Sequence, residues 1–394
     1  MRVMMISSWD DRCGVAAYTK ALSEPLSDLV SMRMVPSPTM TDRKGLKALA
    51  DQINDGEVAH IQYHPDLFGY WRYPWMIQNF QFFINQLRVP RVITVHDLTQ
   101  RLPFRKLTRF DVKKLVYNAA VVPVVNSPGI GAFLRGKFLD VADHLIVHTG
   151  ETKRFLESLG IDGNKISVLY PGVPEIRSSG QSVHEDLGLK GRRILTIMGF
   201  IIPSKGYETV LDAMKHLPAD VVLVIAGGVR SEYYASYFKQ LQSLVGSLGL
   251  QDRVIVTGYL DDQRIPDLLT QSEILLVPYR GTLMTPASAS YAFSYALAAK
   301  RPIIASDMPY FCEIERECSA VKTFPEDDSD ALAKAIMEVL DDEAGDGKGR
   351  IGANDYCERW SWNNVAAKTV HIYQESVQKS ERGQTKLLRT GGRS

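Results

Sequence analysis

RILTIMGFIIPSKGYETVL, Arg193 to Leu211, is the stretch that decides the fold. Its first six residues are almost continuously apolar and rich in branched side chains. A run that short, apolar on both alternations, suits a strand covered on both faces, the habit of parallel sheets. Gly199 and Pro203 break it, and Gly206 precedes Tyr207, Val210 and Leu211, whose spacing predicts a helix. Strand, loop and helix in that order make half of a βαβ unit.

The same unit recurs outward in both directions. Downstream lie VVLVIAGG from Val221, RVIVTGY from Arg253, EILLVPY from Glu273 and RPIIASD from Arg301; upstream lie VMMIS from Val3, VAHIQY from Val58, RVITVH from Arg91, AVVPVV from Ala120 and HLIVHT from His144. Helical periodicity fills the gaps, so each series reads as a doubly wound, Rossmann-like α/β domain. The chain of 394 residues also exceeds the size at which one core keeps growing. The expected domains are 1–175 and 176–358, divided after the turn-like YPGVPE from Tyr170. A polar linker, SSGQSVHEDLGLKG from Ser178, leads into a short helix. A last helix over 359–380 and a disordered, glycine-containing tail over 383–394 complete the expectation.

Composition narrows the function. Hydrophobic residues at 45% and charged residues at 23% place the chain among ordinary globular proteins, and a net charge of +1 gives no global reason to bind nucleic acid. Cys13, Cys312, Cys318 and Cys357 form no CxxC pair and no metal-binding spacing, which fits a reduced, cytoplasmic setting and no metal site. The amino terminus is too short an apolar run for a signal peptide, and no later run has the roughly 20 apolar residues of a membrane span. HExxH, GxxxxGK[ST] and GxSxG are all missing. Gly129-Ile130-Gly131 imitates the start of a dinucleotide fingerprint, but Leu134 stands where its third glycine belongs.

Open parallel sheets bind ligands beyond the carboxyl ends of their strands, so candidate residues are sought there. Gly14, with Cys13 before it, opens the first helix and lets backbone approach a phosphate or sugar, though an ordinary βα turn has the same look. His96 and Asp97 end one strand, where an imidazole can meet a sugar hydroxyl; His64 ends another and equally could only cap the sheet. Lys205 sits in a strand-to-helix loop, able to neutralise a leaving diphosphate. Ser288, Ala289, Ser290 and Tyr291 open a helix whose free N–H groups suit an anion, or simply cap it. The segment 101–114 mixes six basic residues with Phe104, Leu107 and Phe110, fit for a peripheral contact with an anionic membrane face, for an anionic acceptor, or for an ordinary solvated helix. Trp71 to Trp75, WRYPW, can stack on sugar rings or belong to the core.

Together these stretches resemble the family-4 group of retaining glycosyltransferases with the two-domain GT-B fold, from Arg2 to Glu375. Arg12-Cys13-Gly14 resembles the family's amino-terminal glycine loop, His96 its sugar-contacting histidine, Lys205-Gly206 the end of "GRLxxxKG", and Trp360-Ser361-Trp362 the "FSW" that begins a helix crossing back to the first domain. The resemblance implies two domains facing across a cleft and a UDP-sugar or GDP-sugar donor with no further cofactor. It also implies a glycan or lipid-linked acceptor, as in polysaccharide biosynthesis, and no covalent protein nucleophile. Gly199, Gly227, Gly258, Tyr295 and Glu313 join Gly14 and residues 288–291 as its donor-binding set; Cys13, His64 and Asp97 lie on the acceptor side. The chain departs from the family at Phe200, where relatives carry arginine, and at Ala287 and Tyr295, where they carry paired glutamates. Those departures motivate a rival, a catalytically silent nucleotide-sugar-binding subunit. A nonhydrolysing nucleotide-sugar epimerase, which needs acidic groups for proton abstraction, is the other.

Overall fold

The computed structural model describes residues 1–8, 14–36, 42–64, 75–98, 119–120, 122–126, 136–229, 232–261, 263–281, 290–342 and 345–390. The described residues separate into two units: one runs to Pro171 and takes up again from Trp362, the other holds Gly172 to Ser361.

The first unit is built on a six-stranded, all-parallel sheet in the order β2-β1-β3-β4-β5-β6. Its strands are β1 (Arg2–Ser7), β2 (Ser31–Pro36), β3 (Val58–Tyr63), β4 (Arg91–Val95), β5 (His144–Val147) and β6 (Ile166–Val168). Met4, Ile6, Ile61, Tyr63, Ile93, Val95, Leu145 and Val147 pack on Phe80, Phe83, Phe138 and Leu156 to form its core. The final helix, Trp362–Thr390, runs further than the expected end near Lys379 and packs on the helix Gly14–Leu29.

Among its described residues AVVPVV holds no strand. Val122–Asn126 is helical, and β4 pairs directly with β5. Pro123 explains it, since proline has no N–H for an interior ladder yet is tolerated in a helix's first turn. β2, β6 and the second unit's strand Val321–Phe324 went unread from sequence. β2 is an edge strand with only Val35 buried, β6 has three residues, and Lys322 and Thr323 interrupt Val321–Phe324.

The second unit carries β7 (Arg193–Met198), β8 (Val221–Ala226), β9 (Val254–Val256), β10 (Ile274–Val277), β11 (Ile303–Ser306) and β12 (Val321–Phe324) in the all-parallel order β12-β11-β10-β7-β8-β9. After β9 the chain returns to the far side of β7, so the topological switch lies between β7 and β10, where such sheets hold their ligands. β8 is buried along its whole length, which accounts for its unbroken apolar sequence. The linker is docked rather than free. Buried Asp267 accepts from the Ser178 hydroxyl at 2.5 Å, the Ser179 N–H at 2.7 Å and hydroxyl at 2.5 Å, and the Gly180 N–H at 3.2 Å. Burial pushes this carboxyl up, but the hydrogen bonds from Ser178, Ser179 and Gly180 outweigh it and hold it below its ordinary value.

Candidate active site

At the switch point of the second sheet three chain ends converge. The loop after β7 brings Gly199 and Lys205, β10 continues into Tyr279 and Arg280, and Ser290 caps the helix Tyr291–Ala298 by accepting from the Phe293 N–H at 3.2 Å. The Lys205 ammonium donates to the Tyr279 hydroxyl and lies 3.6 Å from the centre of its ring; that hydroxyl is 2.9 Å from the Ser290 hydroxyl. Lys205, Tyr279 and Ser290 are thus one hydrogen-bonded line across the expected phosphate cradle.

Two glycines make this approach possible. Gly206 has φ +65°, and a Cβ there would stand 1.8 Å from the Pro278 carbonyl oxygen. A Cβ on Gly227 would stand 1.8 Å from the carbonyl oxygen of Gly199. Only hydrogen fits between these backbones.

The charges are distributed unequally. Arg280 is held between Glu208 at 3.0 Å and Asp327 at 2.7 Å, so two carboxylates offset it. Among the described residues no carboxylate forms an ion pair with Lys205, whose partner is a phenol. Its charge therefore stays available to an anion, and the Ser290-capped helix start adds N–H groups and a positive dipole end.

Gly199 lies beside Lys205, and a Cβ there would also come within 3.9 Å of Ala292. Gly258 follows β9 with open space around its Cβ position. Tyr295 and Glu313, on the helices Tyr291–Ala298 and Pro309–Glu315, are half-buried. Ser288 and Ala289 lie outside the described residues, as does the side chain of Tyr291.

The first unit presents a row of histidines. His64, His96 and His148 each stand one residue past the end of β3, β4 and β5, three adjacent strands. His96 and His148 have ring centres 5.1 Å apart, and Tyr18 packs on both at 4.8 and 5.0 Å. His64 lies 3.6 Å from Asp97, a partly exposed pair. Burial, aided by His148, His64 and His60, holds His96 well below the usual imidazole range, so it is neutral at physiological pH. Burial likewise brings His148 down to about 4, although a hydrogen bond to the Leu169 carbonyl at 2.9 Å works the other way.

His148 was missed in the sequence, although HLIVHT repeats the valine-histidine step of RVITVH. Among the described residues no group of three His, Cys, Asp or Glu side chains could hold a metal ion. Gly14 begins the helix Gly14–Leu29, with nothing within 4 Å of where a Cβ would stand. Cys13, Trp71 to Pro74, 101–114 and Gly129 to Gly131 lie outside the described residues. Among the described residues no helix is long and apolar enough to cross a membrane.

Comparison with known proteins agrees with this architecture. The chain is 24% identical to the D-inositol 3-phosphate glycosyltransferase of Xylanimonas cellulosilytica, over 74% of this chain and 67% of that one. It is 24% identical to the phosphatidyl-myo-inositol mannosyltransferase of Mycolicibacterium smegmatis, over 56% of this chain and 53% of that one. Among solved structures, Anabaena HepE in complex with UDP superposes with a TM-score of 0.71 at 14% identity, over 95% of this chain and 100% of that one. The fold is therefore GT-B. The family model for glycosyl transferases group 1 matches residues 181–360, the segment that contains the whole Lys205, Tyr279 and Ser290 line.

Proposed function

We propose that this chain is a group 1 glycosyltransferase that transfers a sugar from a UDP-sugar or GDP-sugar to a glycan or lipid-linked acceptor, with retention and without a metal ion. One observation carries the reading: Lys205, free of any carboxylate among the described residues, stands at the switch point beside a capped helix start. As the sugar departs, negative charge grows on the diphosphate, and a fixed ammonium with aligned N–H groups stabilises that charge more than the ground state. His96, neutral at the end of β4, offers a hydrogen bond to a hydroxyl of the transferred sugar. With no covalent protein nucleophile, a phosphate oxygen of the departing donor takes the acceptor's hydroxyl proton, and the acceptor attacks on the face the donor leaves. Cys13, His64 and Asp97 belong to the acceptor side, and 101–114 to contact with the inner face of a membrane. UDP in HepE and the inositol and lipid acceptors in the names of relatives support this class of substrates.

The test is turnover of a donor panel with the product anomer read by NMR, with and without EDTA, beside His96→Ala and Lys205→Ala. Retained configuration, indifference to EDTA and loss of turnover in both variants are expected. Donor binding without turnover against any acceptor would favour the silent subunit, which the phenylalanine at 200 also suits.

A further inference from the structure

The buried face of the first sheet carries polar side chains where a parallel sheet ordinarily has valine or leucine. His60 and Gln62, two apart on β3 and so on one face, are fully buried, as is Thr94 on β4. Leaving such groups unpaired costs about 1–3 kcal/mol each, so their pairing must be complete. The Gln62 Oε1 atom lies 2.7 Å from His96 Nε2, while its amide nitrogen lies 3.2 Å from Met5 Sδ and 3.3 Å from His60 Nε2. His60 in turn reaches the Tyr373 hydroxyl at 2.6 Å through Nδ1 and the Thr94 hydroxyl at 2.7 Å through Nε2.

The Met5 contact selects one proton arrangement among these. Turning the Gln62 amide over would set its oxygen against the Met5 sulfur, acceptor to acceptor, and lose that contact. As it stands, the amide nitrogen donates to Met5 Sδ, the Thr94 hydroxyl donates to the one lone pair of His60 Nε2, and His60 donates from Nδ1 to Tyr373. The oxygen is left to accept, so His96 must carry its hydrogen on Nε2.

We propose that Gln62 is a positioning residue that locks His96 as the Nε2–H tautomer and leaves Nδ1 as a lone pair aimed at a substrate hydroxyl. Among the described residues Nδ1 of His96 has no hydrogen-bond partner, and His96 is half-buried where the residues behind it are fully buried. The proposal rests on His96 as the sugar-contacting group. Tyr373, on the last helix, anchors the relay from the other end, which gives that helix a part in the site besides packing.

The first experiment is independent of turnover. In histidine-labelled wild-type protein, with His96 assigned by its loss in His96→Asn, two-bond nitrogen-proton NMR is expected to show a protonated Nε2 and a pyridine-like Nδ1. The opposite tautomer, or an even mixture, overturns the proposal whether or not a donor is ever found.

In Gln62→Leu the two tautomers should mix and kcat should fall by about 10- to 100-fold, the scale seen when the orienting partner of a metal-ligating imidazole is lost, with the donor KM little changed. Gln62→Glu keeps an acceptor at Nε2 and should restore the tautomer. It should also draw the acid limb of kcat upward, because the new carboxylate would favour imidazolium against the other groups facing His96, namely His148, His60, Tyr18 and His64 with its Asp97. An unshifted tautomer and full kcat in Gln62→Leu would show that the amide only fills space. If Gln62→Leu does not fold, the wild-type tautomer and the Gln62→Glu profile decide.

Discussion

Lowering the pH from 7 to 5 should loosen the first unit. Burial brings His60 down to about 3 and His148 to about 4, from 6.5 in an exposed chain. A folded-state pKa below the unfolded one means that stability is complete above 6.5 and is lost as the pH falls, because the unfolded chain takes up protons that the fold refuses. At pH 5 each imidazole favours the unfolded state by about 2 kcal/mol, so the pair costs about 4 kcal/mol against a total of roughly 5–15 kcal/mol for a typical domain. His144 and His96 act in the same direction. Asp140, Asp220, Asp267 and Glu338, held below their ordinary 3.8 and 4.5, lose their stabilisation only at lower pH, so the windows separate. Amide exchange of β3 and β4 peptides, corrected for its intrinsic pH dependence, reads the opening free energy. The slope near pH 5 should reach at least the two protons of this pair, about 2.7 kcal/mol per pH unit, and should fall by about one proton in His148→Gln. A loss below about 1 kcal/mol between pH 7 and 5, or an unchanged slope in His60→Gln/His148→Gln, would refute the reasoning.

Gly206→Ala should destabilise the second unit by on the order of 3 kcal/mol or more, since it adds both a left-handed alanine and a backbone clash with Pro278; an unchanged melting temperature would contradict that. Asp267→Asn should lose about 1–3 kcal/mol and open the segment Ser178 to Gln181 to limited proteolysis, leaving the remainder resistant. Ser290→Ala should lose about 1 kcal/mol as an N-cap by thermal melting, and should weaken nucleotide binding more than that stability change alone explains.

The elements legible in the sequence were those whose burial is uniform. β8 and β10 carry unbroken apolar runs, and β7 one broken only by Thr196 after its first residue, because these strands are buried on both faces, and each was read with its following loop. β2 escaped because an exposed edge leaves Met32, Arg33 and Met34 unconstrained, and Pro123 was overlooked within a run whose valines suggested a strand. Candidate site residues were picked out where position implies chemistry, Lys205 in the loop after β7 and His96 at the end of β4. What the sequence could not reveal is pairing across distance. Nothing local marks Gln62 as the partner of His96, Tyr279 as the bridge from Lys205 to Ser290, or Asp267 as the anchor of the linker 88 residues before it. Each depends on sheet register and crossover connections that bring remote chain ends together.

The claim that matters most is that Lys205 and the helix start at Ser290 hold a nucleoside diphosphate. Calorimetric titration of wild-type protein and Lys205→Met with UDP, GDP and their sugars tests it. Saturable binding of at least one ligand, weakened by about 10- to 100-fold in Lys205→Met for the loss of one charge-assisted contact, is the predicted result. Binding that is absent for every ligand, or equally tight in the variant, would contradict it.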